Sequence, residues 1–135
     1  MRNVRMNANM AELIYPDLNY KLVGILYRIH NELGNHYHER YYQRALAKEL
    51  EAAGLVYERE IPLELHYRGS PIGKYVADFM IEDKIFLELK TVPRLSSKDL
   101  RQVRAYLKAK KLRLGLLVNF RSERLNIHRI LNPLT

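Results

Sequence analysis

The sequence predicts an α/β fold, a mixed central sheet flanked by helices. Three observations predict it. Apolar residues recur at helical spacing through the first third of the chain. The period then drops to two across three strand-like segments between Leu55 and Thr91. Last, a helical segment separates the third strand from a short apolar run, Leu112 to Phe120. A helix between two strands is a crossover. Crossovers join parallel strands in sheets whose two faces are both covered.

Each element has its own signal. Leu22, Ile25, Leu26, Ile29 and Leu33 predict a first helix over 18–33, stopped by Gly34. Tyr42, Ala45, Leu46 and Leu50 predict a second over 37–53, ended by Gly54. In "LVYEREIPLELHY", Glu58 and Glu60 alternate with Tyr57, Arg59 and Ile61, which predicts a strand over 55–67, broken or bent at Pro62. "RGSPIG" predicts a turn, followed by strands over 74–81 and 85–91. Leu87 and Leu89 alternate with Glu88 and should pack on one covering helix. Ser96 or Ser97 caps a third helix running to Lys110. The run 112–120 is a buried strand, and "RLNIHRI" a last edge strand. Residues 1–10 are expected as a flexible tail.

Composition narrows the function. The 135 residues fit one domain, 47% hydrophobic and 28% charged. With no cysteine there is no disulfide, thiol nucleophile or cysteine-ligated zinc. No apolar run approaches the ~18 residues of a membrane span, and the first residues lack the apolar core of a secretory signal. A cytoplasmic location away from membranes is expected. The net charge of +8 is lopsided. Residues 1–83 hold 10 Lys and Arg against 12 Asp and Glu, whereas residues 84–135 hold 13 against 3. So basic a half suggests a polyanion, most often nucleic acid, although a plain solvated surface would look the same.

The chemistry concentrates in "YVADFMIEDKIFLELK". If Glu82, Asp83 and Lys84 form a three-residue hairpin loop, Ile81 faces Ile85 and Asp78 faces Glu88. Opposite residues share a face with Cβ atoms about 4.5–5.5 Å apart, and Lys90, two residues on, joins them. Paired carboxylates repel, and a hard divalent cation would resolve the conflict. A lysine beside it could orient or deprotonate a water. The bland alternative is an exposed Glu–Lys pair on an edge strand, with Asp78 opening the turn.

"VADF" followed by "FLELK" resembles the PD-(D/E)XK nuclease superfamily motif, carried by Asp78, Glu88 and Lys90. Ala77 stands where the motif's name has proline. "GNHYHERYYQRAL" resembles the signature of the GxxExxY proteins, with Glu39 and Tyr42 at its Glu and Tyr and His36 where it has glycine. "QVRAYLKA" and "LRLGLLVNF" read like the same family, so the resemblance spans roughly residues 18–130. It implies a PD-(D/E)XK nuclease-like αβββαβ core, with an extra N-terminal helix and a C-terminal edge strand. It also implies Mg²⁺ (or Mn²⁺) on Asp78, Glu88 and the Leu89 carbonyl, Glu39 supporting the metal or its water, and a Gln-x-x-x-Tyr pair, here Gln102 and Tyr106, near the substrate.

The supporting residues have their own readings. Glu39 shares a helix face with Tyr42, Gln43 and Leu46; near a helix start, the dipole alone would favour an acid there. Gln102 and Tyr106 lie one turn apart, as substrate contacts or with Tyr106 as core packing. Lys98, Arg101, Arg104, Lys108 and Lys111 form a stripe that suits a phosphate backbone or merely solvent. His36 and His38, two apart, do not share a helix face and are not expected to bind metal.

The leading expectation is a Mg²⁺-dependent nuclease acting on DNA, in preference to RNA, with a homodimer or a partner protein as further partners. The competing expectation is a nucleic-acid-binding or partner-binding module on a nuclease fold, with weak or no catalysis.

Overall fold

The structure, a computed structural model, describes residues 14–133. The tail expected at 1–10 lies outside them. Three helices and five strands follow in the order α1 (Pro16–Leu33), α2 (Glu39–Ala52), β1 (Tyr57–Tyr67), β2 (Ser70–Ile81), β3 (Ile85–Lys90), α3 (Ser97–Lys110), β4 (Leu114–Asn119) and β5 (Asn126–Leu131).

The sheet order is β1-β2-β3-β4-β5. Only β3 and β4 run parallel, and α3 is the crossover between them. The other pairs are antiparallel, so the sheet is mixed. Its two faces carry separate cores. On one, Leu22, Ile25, Leu26 and Ile29 of α1 and Tyr42, Leu46 and Leu50 of α2 cover Phe79, Ile81, Leu87, Leu89 and Leu116. On the other, Val103, Tyr106 and Leu107 of α3 cover Met80, Phe86, Leu117 and Ile130. Leu87 and Leu89 thus share the α1–α2 face, as their alternation requires.

Two local expectations are corrected. Pro62 does not break β1, which runs through it and pairs Pro62 with Val76. β1 is an edge strand, where a missing N–H is tolerated. The register shift falls instead between Leu65 and His66, and Glu60, at φ +54, is left out of the pairing without shifting it. The turn expected over "RGSPIG" contracts to Arg68 and Gly69, both left-handed at φ +50 and +81. That is the conformation of a tight two-residue hairpin turn, and it lets β2 resume at Ser70.

Local chemistry fixes the helix ends near the site. Ser96 caps α3 with a full capping box: its Oγ accepts from the Asp99 N–H, and Asp99 Oδ2 accepts from the Ser96 N–H at 2.8 Å. Tyr42 is buried, stacked on Phe120 at 4.4 Å, and its hydroxyl donates to the Gly34 carbonyl at 2.6 Å. This pins the α1–α2 loop to the end of β4.

Gly115 sets how closely α3 sits on β4. A Cβ there would lie 2.9 Å from Val103 Cγ1 and 3.3 Å from both Leu107 methyl carbons. Gly115→Ala should therefore cost about 1–3 kcal/mol through overpacking. An unchanged urea midpoint would show that the helix can shift at no cost.

Candidate active site

The β2–β3 ladder pairs Ile81 with Ile85, Met80 with Phe86 and Phe79 with Leu87, then stops. The next residues on the two strands are Asp78 and Glu88. Their carboxylates take over where backbone carbonyls would continue the ladder. The Asp78 N–H donates to Glu88 Oε1 at 3.2 Å, and the Leu89 N–H donates to Asp78 Oδ2 at 2.8 Å. A strand residue's N–H and C=O point to the same flank. The Leu89 carbonyl therefore also faces the gap that opens between β2 and β3.

Two helices complete the cluster. From α2, Gln43 Nε2 donates at 3.2 Å to both Glu39 Oε2 and Asp78 Oδ1, so it ties the two carboxylates together. At the start of α3, Asp99 Oδ1 lies 3.8 Å from Lys90 Nζ, and Glu88 Oε2 lies 3.9 Å from it. Both distances exceed a hydrogen bond. The ammonium is held by two charges, with its donors still free to turn to a third group. The structure thus brings Asp78, Glu88, Lys90 and Glu39 together, and adds Gln43 and Asp99.

The electrostatics follow from crowding acids in a half-buried place. Burial, then the neighbouring Asp78 charge, pushes the Glu88 carboxyl up to about 8, against the pull of Lys90. Burial also raises Asp78, although the Leu89 N–H, Lys90, Gln43 and Arg59 oppose it. Glu39 is raised by burial and by Asp78. Partial burial pushes Asp99 up as well, but the Ser96 N–H and hydroxyl, with Lys90, outweigh it and hold it below its ordinary value.

Glu88, whose carboxyl keeps its proton toward pH 8 for want of positive charge, fits a cation. The cluster's donors are hard oxygens: two carboxylates and the Leu89 carbonyl. Among the described residues, no group of three or more His, Cys, Asp or Glu side chains is placed to hold a metal ion. A cation here would keep several waters, the coordination Mg²⁺ favours.

Other expected residues fall elsewhere. Tyr106, expected beside Gln102 at the substrate, is a core residue instead. It is 3% exposed, its ring stacks on Phe86 at 4.7 Å, and its hydroxyl donates to the Ile61 carbonyl. No face of the ring is left for a base. Gln102 is half-buried on the Asp99 flank of α3, and Tyr42 braces the loop from within the core. Lys98, Arg101, Arg104, Lys108 and Lys111 are all exposed. At about 100° per residue, however, the stripe centres on the side of α3 opposite Asp99. Lys98, one turn before Gln102, is the member of the stripe turned least far from Asp99. Glu58, Glu60 and Glu64 are exposed.

Gln43 and Asp99 were the residues missed as site members. Gln43 lies one turn beyond Glu39, on the same helix face. Asp99 is one of the three acids in the basic half of the chain, which marked it out.

No helix of the described residues is long and apolar enough to cross a membrane. No curated protein matches the chain. Among solved structures, the crystal structure of SSO0001 shares its fold, with a TM-score of 0.51 and 24% identity over 99% of this chain. The chain spans 63% of that protein's length. The sequence pattern of the PD-(D/E)XK nuclease superfamily matches residues 16–130, a span that takes in both layers of helices and the carboxylate cluster. On that match, the chain belongs to the PD-(D/E)XK nuclease superfamily.

Proposed function

We propose that this protein is a divalent-metal-dependent nuclease that hydrolyses phosphodiester bonds in DNA, or in RNA. The observation that carries the reading is the meeting of Asp78, Glu88 and Lys90 where the β2–β3 ladder ends, with Gln43 drawing Glu39 to the same spot. Asp78, Glu88 and the Leu89 carbonyl would hold Mg²⁺ or Mn²⁺. When bound, the ion supplies electrophilic charge to the scissile phosphate. Lys90 orients the attacking water and stabilises charge as it develops on the phosphoryl oxygens. Asp99, kept ionised, fixes the ammonium from behind. Glu39, reached through Gln43, holds water on the opposite side. Gln102 and Lys98 flank the path of the strand, and the outer basic stripe attracts it without reading sequence. The spacing of Glu39 and Tyr42 supports a place among the GxxExxY proteins.

The test is cleavage of labelled single-stranded, duplex and branched DNA, and of RNA, in Mg²⁺, in Mn²⁺ and in chelator. Metal-dependent cutting that is lost in Asp78→Ala, purified in parallel, is the expected result. One feature favours a binding module instead: Arg101, Arg104 and Lys108 centre away from the cluster. Salt-sensitive binding with no cutting in either metal would establish that alternative.

A further inference from the structure

A separate concave site is lined by the chain neighbours of Lys90 and Glu39. A cavity of about 230 Å³ is lined by Asn35, His36, Tyr37, His38, Thr91 and Arg121. It sits at the carboxyl ends of the two parallel strands, since Thr91 follows β3 and Arg121 lies just past β4. In sheets with parallel strands, ligands collect at that end. The segments that carry this lining are fixed in place. The buried Asn119 side chain accepts from the Val92 and Arg121 N–H groups at 3.2 Å and donates to the Val92 carbonyl at 2.9 Å. Asn35 Nδ2 donates to the Arg121 carbonyl at 2.9 Å, closing the α1–α2 loop over the β4–β5 loop.

The lining selects an anion. None of its six residues is acidic. Among the described residues, no carboxylate pairs with the Arg121 guanidinium. Two imidazoles, an amide, a threonine and a tyrosine complete the wall. The volume falls below the ~300–1,000 Å³ of pockets for drug-sized ligands, so it suits a small group rather than a whole nucleotide. Thr91 is the residue after Lys90, and His38 the residue before Glu39. At about 3.8 Å between successive Cα atoms, one strand can reach both places.

We infer that this cavity binds a phosphate of the nucleic-acid strand, adjoining the one that is cut, with Arg121 as its principal contact. The inference rests on the nuclease reading for its ligand, but its test does not need catalysis. The wild-type protein, metal-free in chelator, is titrated with a dinucleotide carrying a 5′-phosphate and with the same dinucleotide carrying a 5′-hydroxyl. The imidazole resonances of His36 and His38 are followed by NMR. Saturable shifts are expected, with binding weakened roughly tenfold or more in Arg121→Ala, the loss of one charge-assisted contact. The side chain is exposed and its backbone bonds to Asn35 and Asn119 remain, so the variant should fold. Shifts with the 5′-phosphorylated ligand alone would make the occupant a terminal phosphate. Equal shifts with both would make it an internal diester. No shift, or shifts that Arg121→Ala leaves unchanged, would overturn the inference. Binding without any cleavage would keep this subsite and remove the nuclease reading. Cleavage with no effect of Arg121→Ala on KM would do the reverse.

Discussion

Lys90→Ala should slow cleavage by roughly 10²–10³-fold, the usual cost of removing one donor aimed at developing charge. The side chain is 22% exposed and stands between Glu88 and Asp99 without a short hydrogen bond to either. Its removal has two separable effects. On the proposed mechanism, the chemistry loses a cation at the reacting phosphate. Glu88 also loses the charge that pulls its carboxyl down, so it keeps its proton to higher pH and yields it less readily to a metal. Saturating Mn²⁺ at high pH should repair the second loss and leave the first. A Lys90→Ala enzyme restored to wild-type rate under those conditions would reduce Lys90 to a tuner of metal affinity. Folding should survive, because the core beneath is formed by Leu87, Leu89 and the helices.

Glu88→Gln should abolish the response to metal and yet stabilise the metal-free fold. The Glu88 carboxyl is raised to about 8 in the folded protein from an ordinary value of 4.5. Between those values the native state holds a proton that the unfolded chain releases, so stability falls as pH rises from about 4.5 to about 8 and levels off above. Glutamine can still accept the Asp78 N–H bond, and it carries no charge to bury. In chelator at pH 8 the variant should be more stable by on the order of 2 kcal/mol, or roughly 4–8 °C in Tm. The gap should close near pH 4. At pH 8, Mg²⁺ should raise the Tm of the wild type and not of the variant. Equal melting temperatures in chelator at pH 8 would mean that Glu88 carries no strain and that the cluster needs no cation.

The hairpin register was legible because it depends on so little. A three-residue loop after Ile81 and the two-residue period of a strand carry Asp78 to Glu88 with no tertiary information. The crossover was legible for a similar reason, since "SSKDLRQVRAYLKAK" is helical between two strand-like runs. The early end of the β2–β3 ladder was not legible. It depends on carboxylates replacing carbonyls as acceptors, and a sequence pattern does not distinguish those. Tyr106 stayed undecided between substrate contact and core packing, because its helix spacing fits both the core and the rim. Only the position of Ile61, far back in the chain, decides where its hydroxyl goes. The basic stripe is exposed along α3 from Lys98 to Lys108, while Lys111 is the left-handed cap beyond the helix. The stripe's direction depends on which flank meets Lys90, and Asp99 settles that. Pro62 looked like a breaker because nothing local marks β1 as an edge strand.

The most direct test of the central claim is a Mn²⁺ titration followed by the loss of the free-ion EPR signal, run at pH 8 on the wild type and on Asp78→Ala. The wild-type chain should bind saturably, with release of protons and competition by Mg²⁺, and Asp78→Ala should not bind. Equal binding by both proteins, or none by either, would contradict a metal centre at the end of the β2–β3 ladder.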